Sequence, residues 1–233
     1  MGLKADLDAE VAKIFRETWD VEETEDVPEA DDILLGSNHA KRLEQAAVLY
    51  ADLSYSTKLV DGFKWRFASE IYKAFLHCSA KIIRDEGGEI TAYDGDRIMA
   101  IFVGGTKNTS AVRSALKINY ARINIINPAL KKQYPTTSYE IKHVVGIDLS
   151  ELHAARTGVR GDNDLVWVGR AANHAAKLSS FEPEYATRIT EEVHERLHSS
   201  ARLSGDKSMW EATLWTEMGN KRIYRSSYTW RID

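Results

Sequence analysis

The sequence predicts an α+β fold, a βαββαβ core whose mostly antiparallel sheet carries its helices on one face. Three observations predict it. Ala46–Leu53 (AAVLYADL) is short and almost wholly apolar, the pattern of a strand buried on both faces. Residues 65–85 repeat apolar side chains at helical spacing (Phe67, Ile71, Phe75, Ile82) and stop before Gly87-Gly88. Gly87–Val103 (GGEITAYDGDRIMAIFV) reads as a hairpin, Ile90–Tyr93 and Asp96–Val103, because Asp94-Gly95 suits a two-residue turn whose central positions want positive φ.

The remaining elements follow in order. Leu3, Leu7, Val11, Ile14 and Phe15 recur at helical spacing, so an amphipathic helix is expected over residues 3–18. The acidic run Asp20–Asp32, broken by Pro28, reads as a linker. This divides the chain into an N-terminal helix and acidic linker (1–36) and a main domain (37–233). Ser54–Thr57 ends the first strand, and Ser56 or Thr57 caps a short helix. After the hairpin, Asn108 or Thr109 caps a long helix through Val112, Leu116, Ile118, Ile123 and Ile126, which Asn127-Pro128 ends. Tyr139–Leu149 is a strand, and Leu152–Thr157 returns beside it. Leu165–Val168 is a short strand, and Gly169 leads into an Ala-rich helix, Arg170–Leu178. A short helix over residues 190–198 and late strands Glu211–Thr216 and Ile223–Trp230 complete the chain.

With 233 residues, 43% of them hydrophobic, the chain can bury one domain's core with decorations. A net charge of −4 argues against a sequence-independent grip on nucleic acid. No apolar run approaches a membrane span, and Met1–Glu10 lacks a signal peptide's apolar stretch. Asp6 stands where a myristoylation signal wants Ser or Thr. Cys78 is alone, so disulfides are not the framework. A soluble, cytoplasmic protein is expected.

The chemistry centres on two carboxylates. In the hairpin register set by an Asp94-Gly95 turn, Tyr93 faces Asp96 and Ala92 faces Arg97, from opposite faces. Asp52 is the only charge in an apolar strand end, and Asp96 starts the second hairpin strand. An ionised carboxylate is costly there without a cation or a donor. A βαββ core can make the first strand and the hairpin neighbours, so the two can meet. Two Asp holding Mg²⁺ or Mn²⁺ would organise phosphate chemistry; two turn aspartates capping backbone amides would leave the same pattern. Two other motifs fail. His194-Glu195-Arg196-Leu197-His198 matches H-E-x-x-H, but no third zinc ligand stands at signature spacing. Gly104-Gly105-Thr106-Lys107 ends like a phosphate-binding loop, but Ala100 occupies the place of its first glycine.

AVLYADLSYST and GGEITAYDGDRIMAIF resemble the two metal motifs of class III nucleotidyl cyclases, and LVWVGRAANHAAKLSS resembles their substrate helix. The resemblance covers roughly Ala46 to Ser180, and three motifs in order are far more specific than one. It implies a ferredoxin-like core and a homodimer with interfacial active sites. One subunit would supply Asp52, Asp96 and the carbonyl of Leu53 to two metals. The other would supply Asn173, to orient the ribose, and Lys177, which stands where the family has an Arg. Lys keeps that charge but loses the bidentate fork. Lys221 and Arg222 fall where a late Lys holds the triphosphate.

The base-reading positions depart from the family. Ala92 stands where purine cyclases have a Lys, and Val166 where they have Asp or Thr. Arg97 fills the vacated space and presents donors to a carbonyl-rich edge, and Tyr50, of the same strand parity as Asp52, walls the site. A smaller pocket with donors suits uracil, so UTP is favoured over CTP. The pattern resembles the pyrimidine cyclases of bacterial Pycsar antiphage defence, whose cyclic UMP or cyclic CMP activates a separate effector. The rivals are a cytidylate cyclase, a purine cyclase with rearranged base contacts, and a degenerate domain kept for nucleotide binding or dimerisation.

Overall fold

The computed structural model describes residues 2–233. Helix α1 (Leu3–Arg16) leads into a short strand β1 (Asp20–Glu23), which runs parallel to the start of the long strand β2 (His39–Leu53). Helices α2 (Ser56–Gly62) and α3 (Trp65–Asp85) follow, then the hairpin β3 (Glu89–Asp94) and β4 (Arg97–Phe102). Next come α4 (Lys107–Ala121), α5 (Asn127–Gln133), the long hairpin β5 (His143–Val159) and β6 (Asp162–Val168), and α6 (Arg170–Ser179). The chain ends with β7 (Thr187–Thr190), α7 (Glu191–Glu195), α8 (Ser199–Arg202), a minimal hairpin β8 (Leu203–Ser204) and β9 (Lys207–Ser208), and the pair β10 (Glu211–Trp215) and β11 (Lys221–Ser226).

The main sheet runs β10-β11-β7-β5-β2-β4-β3, with β1 added to β2 and β6 to β5. Within it β5-β2-β4-β3, with α3 and α4, form the expected βαββαβ core. Period-2 alternation gives each face its own core. Ala47, Leu49 and Ala51 of β2 with Ile98, Ala100 and Phe102 of β4 meet Ile71, Phe75, Val112 and Leu116 of α3 and α4. The opposite residues, Val48, Met99 and Ile101, meet Ala171, Ala172 and Ala175 of α6. The core helices α3 and α4 thus share one face as expected, whereas α6 covers the other. Tyr50 and Asp52, of Val48's parity, open onto the α6 side.

α6 lies unusually close because β5 carries Gly146, paired with Tyr50 across the ladder. A Cβ there would sit 2.1 Å from the carbonyl oxygen of Ala175 and 2.6 Å from the amide of Ser179. The alanines of α6 and the missing side chain on β5 together let a helix backbone rest on a strand.

Several expectations move. Asp20–Glu23, inside the run read as a linker, is a strand, because backbone pairing needs no apolar side chains. Its Glu22 and Glu23 pair with Lys41 (2.6 Å) and Arg42 (2.5 Å) on β2. β2 starts at His39 instead of Ala46, with a register shift between Leu43 and Ala46. Asn127-Pro128 does not end the helix. The chain passes through a π-helical turn, Arg122–Ile126, and Pro128 falls in the first turn of α5, where a missing N–H costs nothing. Leu152–Thr157 continues β5, and β6 is the returning strand. The reversal waits for Arg160-Gly161, where Gly161 takes φ +94, because nothing at Ser150-Glu151 makes a turn. The last strand ends at Ser226, short of Trp230.

Candidate active site

The hairpin closes one residue later on each strand than expected. Asp94 pairs with Arg97 and Tyr93 with Ile98, so the turn residues are Gly95 and Asp96. The chain has one glycine here, and a turn with Gly first needs only Gly95 at positive φ (+61), whereas an Asp94-Gly95 turn would also demand it of Asp94. Ala92 therefore faces Met99 instead of Arg97. Sliding both strands by one preserves the faces, so Ala92 and Arg97 still share one. That face is not separate from the carboxylate of β2: Arg97 lies directly opposite Asp52, and Met99 opposite Tyr50. Tyr50, Asp52, Ala92 and Arg97 thus form one patch, with Asp96 at its corner in the turn.

The patch is electrostatically unsettled. Asp52 is half-buried, and burial pushes its carboxyl up to about 6. The Arg97 guanidinium and the Leu53 amide oppose that rise, while the charges of Asp96 and Asp94 add to it. Asp96 Oδ2 is buried and accepts no hydrogen bond, and Arg97 Nε is buried and donates none. Arg97 approaches Asp94 at 3.6 Å. Burial likewise raises the Tyr50 phenol, against the pull of Arg97, and pushes Tyr139 up to about 12, helped by Tyr72 and Asp96. Two neighbouring carboxylates, one desolvated and one with a buried oxygen lacking a donor, suit a hard divalent cation. Leu53, the last residue of β2, is buried against α3 and α4 and presents only backbone here.

The substrate-helix residues lie apart from this patch. Ala171, Ala172, Ala175 and Leu178 turn toward the sheet, so Asn173 and Lys177 stand exposed on the far side of α6. Lys177 Nζ lies 3.6 Å from Met218 Sδ, just before β11. Lys221 opens β11 and helps wall a cavity of about 220 Å³ with Arg170, His174, Glu192 and Trp215. Arg222 lies on the same cavity but is engaged by Glu191 at 3.3 Å. Val166 is exposed on β6 and faces a cavity of about 210 Å³ beside Ile14 and Trp19. Within one chain, Asp52 and Asp96 are brought together, Asn173 and Lys177 share the exposed side of α6, Lys221 lies on the cavity beside Arg170 and His174, and Val166 joins none of these.

One constellation escaped the sequence reading. Asp148 on β5 is 0% exposed, 3.2 Å from both Arg170 Nε and His174 Nδ1, and accepts a hydrogen bond from Thr190 Oγ1 at 2.5 Å. Arg170 and His174 flank Asn173 on α6, so a buried charge pins the start of that helix. A lone Asp in the apolar run HVVGIDL, with basic residues four apart on the following helix, was the available signal. The H-E-x-x-H match dissolves. His194 in α7 stacks on Tyr224 with ring centroids 3.7 Å apart, while His198 precedes α8 and its Nδ1 accepts from the Ser200 amide at 3.3 Å. His143, behind Leu53, is fully buried and pushed down to about 3 by burial and then by Arg122.

No protein-family model matches the chain. Solved structures do match. The adenylyl cyclase CyaB from P. aeruginosa aligns with a TM-score of 0.67 over 80% of this chain and 94% of that one, at 20% identity. The guanylyl cyclase Cya2 aligns with a TM-score of 0.66 over 82% and 94%, at 17% identity. The fold is that of the class III nucleotidyl cyclases. Among curated relatives, the uridylate cyclase of Burkholderia cepacia is 51% identical over 232 residues and that of Xanthomonas perforans 50% over 233, each covering 100% of both chains. The uridylate cyclase of Rhodovulum sp. (strain MB263) is 36% identical over 99% of this chain and 98% of its own. The chain belongs to the uridylate cyclase family. Among the described residues, no helix is long and apolar enough to cross a membrane.

Proposed function

We propose that this chain converts UTP to 3′,5′-cyclic UMP and pyrophosphate, by attack of the ribose 3′-hydroxyl on the α-phosphate. The observation that carries the reading is full-length identity of 50% or more with two proteins named uridylate cyclase. The site agrees with it. Ala92 and Val166 offer no polar group to a purine edge, and Arg97 stands opposite Asp52 with donor capacity left over. Tyr50, on the same face, walls the base pocket.

Asp52, Asp96 and the Leu53 carbonyl would hold two divalent cations, Mg²⁺ or Mn²⁺, whose Lewis acidity favours the 3′-alkoxide and offsets triphosphate charge. Asn173 orients the ribose, and Lys177 places a positive charge on the transferring phosphate. Lys221 holds the triphosphate tail; Arg222 is the weaker candidate because Glu191 already engages it. Asn173 and Lys177 are exposed on the side of α6 turned from the sheet, which supports a homodimer in which each copy completes the other's site. A guanylyl cyclase domain from Blastocladiella emersonii, described as a non-canonical dimer, shares the fold with a TM-score of 0.63. The product then serves as a second messenger to a separate effector in cytoplasmic antiphage defence.

Incubation with each of the four nucleoside triphosphates and Mn²⁺ tests the substrate. Cyclic UMP is expected as the main product, and cyclic CMP or cyclic AMP in its place would reassign it. Arg97→Ala is expected to lower the preference for UTP over ATP by about tenfold to a hundredfold, the worth of a hydrogen bond from a charged donor. Equal losses with every nucleotide would remove Arg97 from base reading.

A second reading has its own observation. A class III adenylyl cyclase-like ATP-binding protein from Pseudomonas aeruginosa shares the fold with a TM-score of 0.67, so a fold match alone does not distinguish a cyclase from a binding module. Retention of Asp52 and Asp96 favours chemistry here. Asp52→Ala and Asp96→Ala variants that kept the biological effect would favour the binding module.

A further inference from the structure

Two residues past Leu53 the backbone does something its sequence does not favour. Tyr55 takes φ +63, ψ +29, the left-handed region, and the only other non-glycine residue at positive φ among those described is Asn220. For a bulky aromatic such a conformation is rare and persists only where surrounding contacts over-determine it. Those contacts are present. Tyr55 is 41% exposed, so burial does not hold it. Its hydroxyl donates to Glu182 Oε2 at 2.7 Å, and Lys58 Nζ lies over its ring at 4.8 Å.

Glu182 is itself a fixed post. It lies in the loop between α6 and β7, and its carbonyl accepts from Arg188 Nη2 at 3.0 Å. Arg188 is buried on β7, and its guanidinium lies 4.5 Å over the ring of Phe181. Phe181 in turn meets Trp215 edge-on at 6.0 Å. On the other side, the Ser54 amide donates to the carbonyl of Lys142 at 2.9 Å, and the Leu59 amide to that of Tyr55 at 3.1 Å. The turn joining Asp52 and Leu53 to α2 is thus tied at both ends, and from its middle one side chain reaches across to the loop between α6 and β7.

We propose that Tyr55 is a positioning residue. Its tether to Glu182 holds the Leu53–Ser54 backbone in a strained turn, so that the Leu53 carbonyl and the Asp52 carboxylate converge on one cation. This rests on the metal-dependent reading above. The strain serves the site and opposes stability, so relieving it separates the two properties. Tyr55→Gly removes both the tether and the cost of positive φ. Tyr55→Phe keeps the cost of positive φ and loses the tether that holds the turn against it. Glu182→Ala mimics the Phe variant, whereas Glu182→Gln keeps an acceptor for the hydroxyl and restores function.

The test measures Mn²⁺ binding from the electron paramagnetic resonance signal of the free ion, with 3′-deoxy-UTP present to occupy the site without turnover. Thermal unfolding is followed in parallel. Tyr55→Phe and Glu182→Ala are expected to weaken Mn²⁺ binding by about tenfold to a hundredfold, the usual effect of losing a group that orients a metal ligand. Tyr55→Gly should weaken it similarly while its Tm stays level or rises, and Glu182→Gln should bind as the parent does. Unchanged Mn²⁺ binding in Tyr55→Gly would overturn the proposal, as would a loss in Glu182→Gln equal to that in Glu182→Ala. A parent protein that binds Mn²⁺ but makes no cyclic nucleotide would sink the cyclase reading and leave the tether's role to be judged on binding alone.

Discussion

Asp52→Ala and Asp96→Ala are each expected to reduce cyclic UMP formation by about 10³-fold, since a lost cation site removes several kcal/mol of transition-state stabilisation. The fold should survive both changes. Asp96 sits in a turn with a buried oxygen that accepts nothing, and Asp52 is half-buried with its carboxyl pushed up to about 6. The losses should appear in product formation with Mn²⁺ or Mg²⁺, with unfolding midpoints at or above that of the parent. A collapse in stability equal to the collapse in activity would mean that the pair is structural.

The raised value of Asp52 makes the same claim testable by pH. Its carboxyl binds a proton more tightly in the folded chain than in the unfolded one, so between about 4 and about 6 the native state holds more protons. Through this group, stability of the metal-free protein falls as pH rises across that window and is level above it. A cation competes with the proton for the same oxygens, so the stabilisation given by added Mn²⁺ should grow with pH over the window and then plateau. Asp52→Asn removes both slopes. At pH 7 it should leave the metal-free protein more stable by about 1 kcal/mol, the shift being discounted for partial exposure.

The βαββαβ core was legible because its signals are local. The apolar run of β2, the helical period of α3 and the glycine-bounded hairpin each restrict one element. What failed depended on partners. The acidic run has no apolar pattern, so nothing in it announces that Asp20–Glu23 would pair with His39–Arg42. Pro128 looks like a helix stop until a π-helical turn places it in a new first turn. The shared face of Ala92 and Arg97 was right, but the register was not, and Asp96 falls in the turn instead of on the opposite face, since one glycine favours a turn with positive φ only at Gly95.

The site divided along the same line. Residue types and motif spacing pointed to Asp52 and Asp96, and their proximity follows from topology. Placing Arg97 opposite Asp52 required the β2–β4 register, which the hairpin alone does not supply. Asp148 and the Tyr55–Glu182 tether join residues 42 and 127 positions apart in their hydrogen bonds, a separation that no short window spans. Val166 lies on β6 beside α1, far in register from Ala92 and Arg97 of the same chain, a separation that its position seven residues before Asn173 does not reveal.

Gly146→Ala is expected to be the most damaging single methyl in the protein. Its Cβ would meet the Ala175 carbonyl at 2.1 Å and the Ser179 amide at 2.6 Å, and neither is the free end of a flexible side chain. Relief requires α6 to lift or β5 to bow, and β5 is held by β2 on one side and by β7 on the other. Overpacking of this kind costs about 3 kcal/mol or more, which a shifted urea midpoint with unchanged slope would register. Gly105→Ala supplies the control, since a Cβ there meets nothing within 4 Å; it should stay within about 0.5 kcal/mol of the parent. Activity should fall further than stability does. The helix displaced by the methyl carries Asn173 and Lys177, and a misplacement of about 1 Å in a positioning group is enough to cost about 10²-fold. If Gly146→Ala remained folded and active, the close seat of α6 on β5 would not be what sets the place of those two side chains.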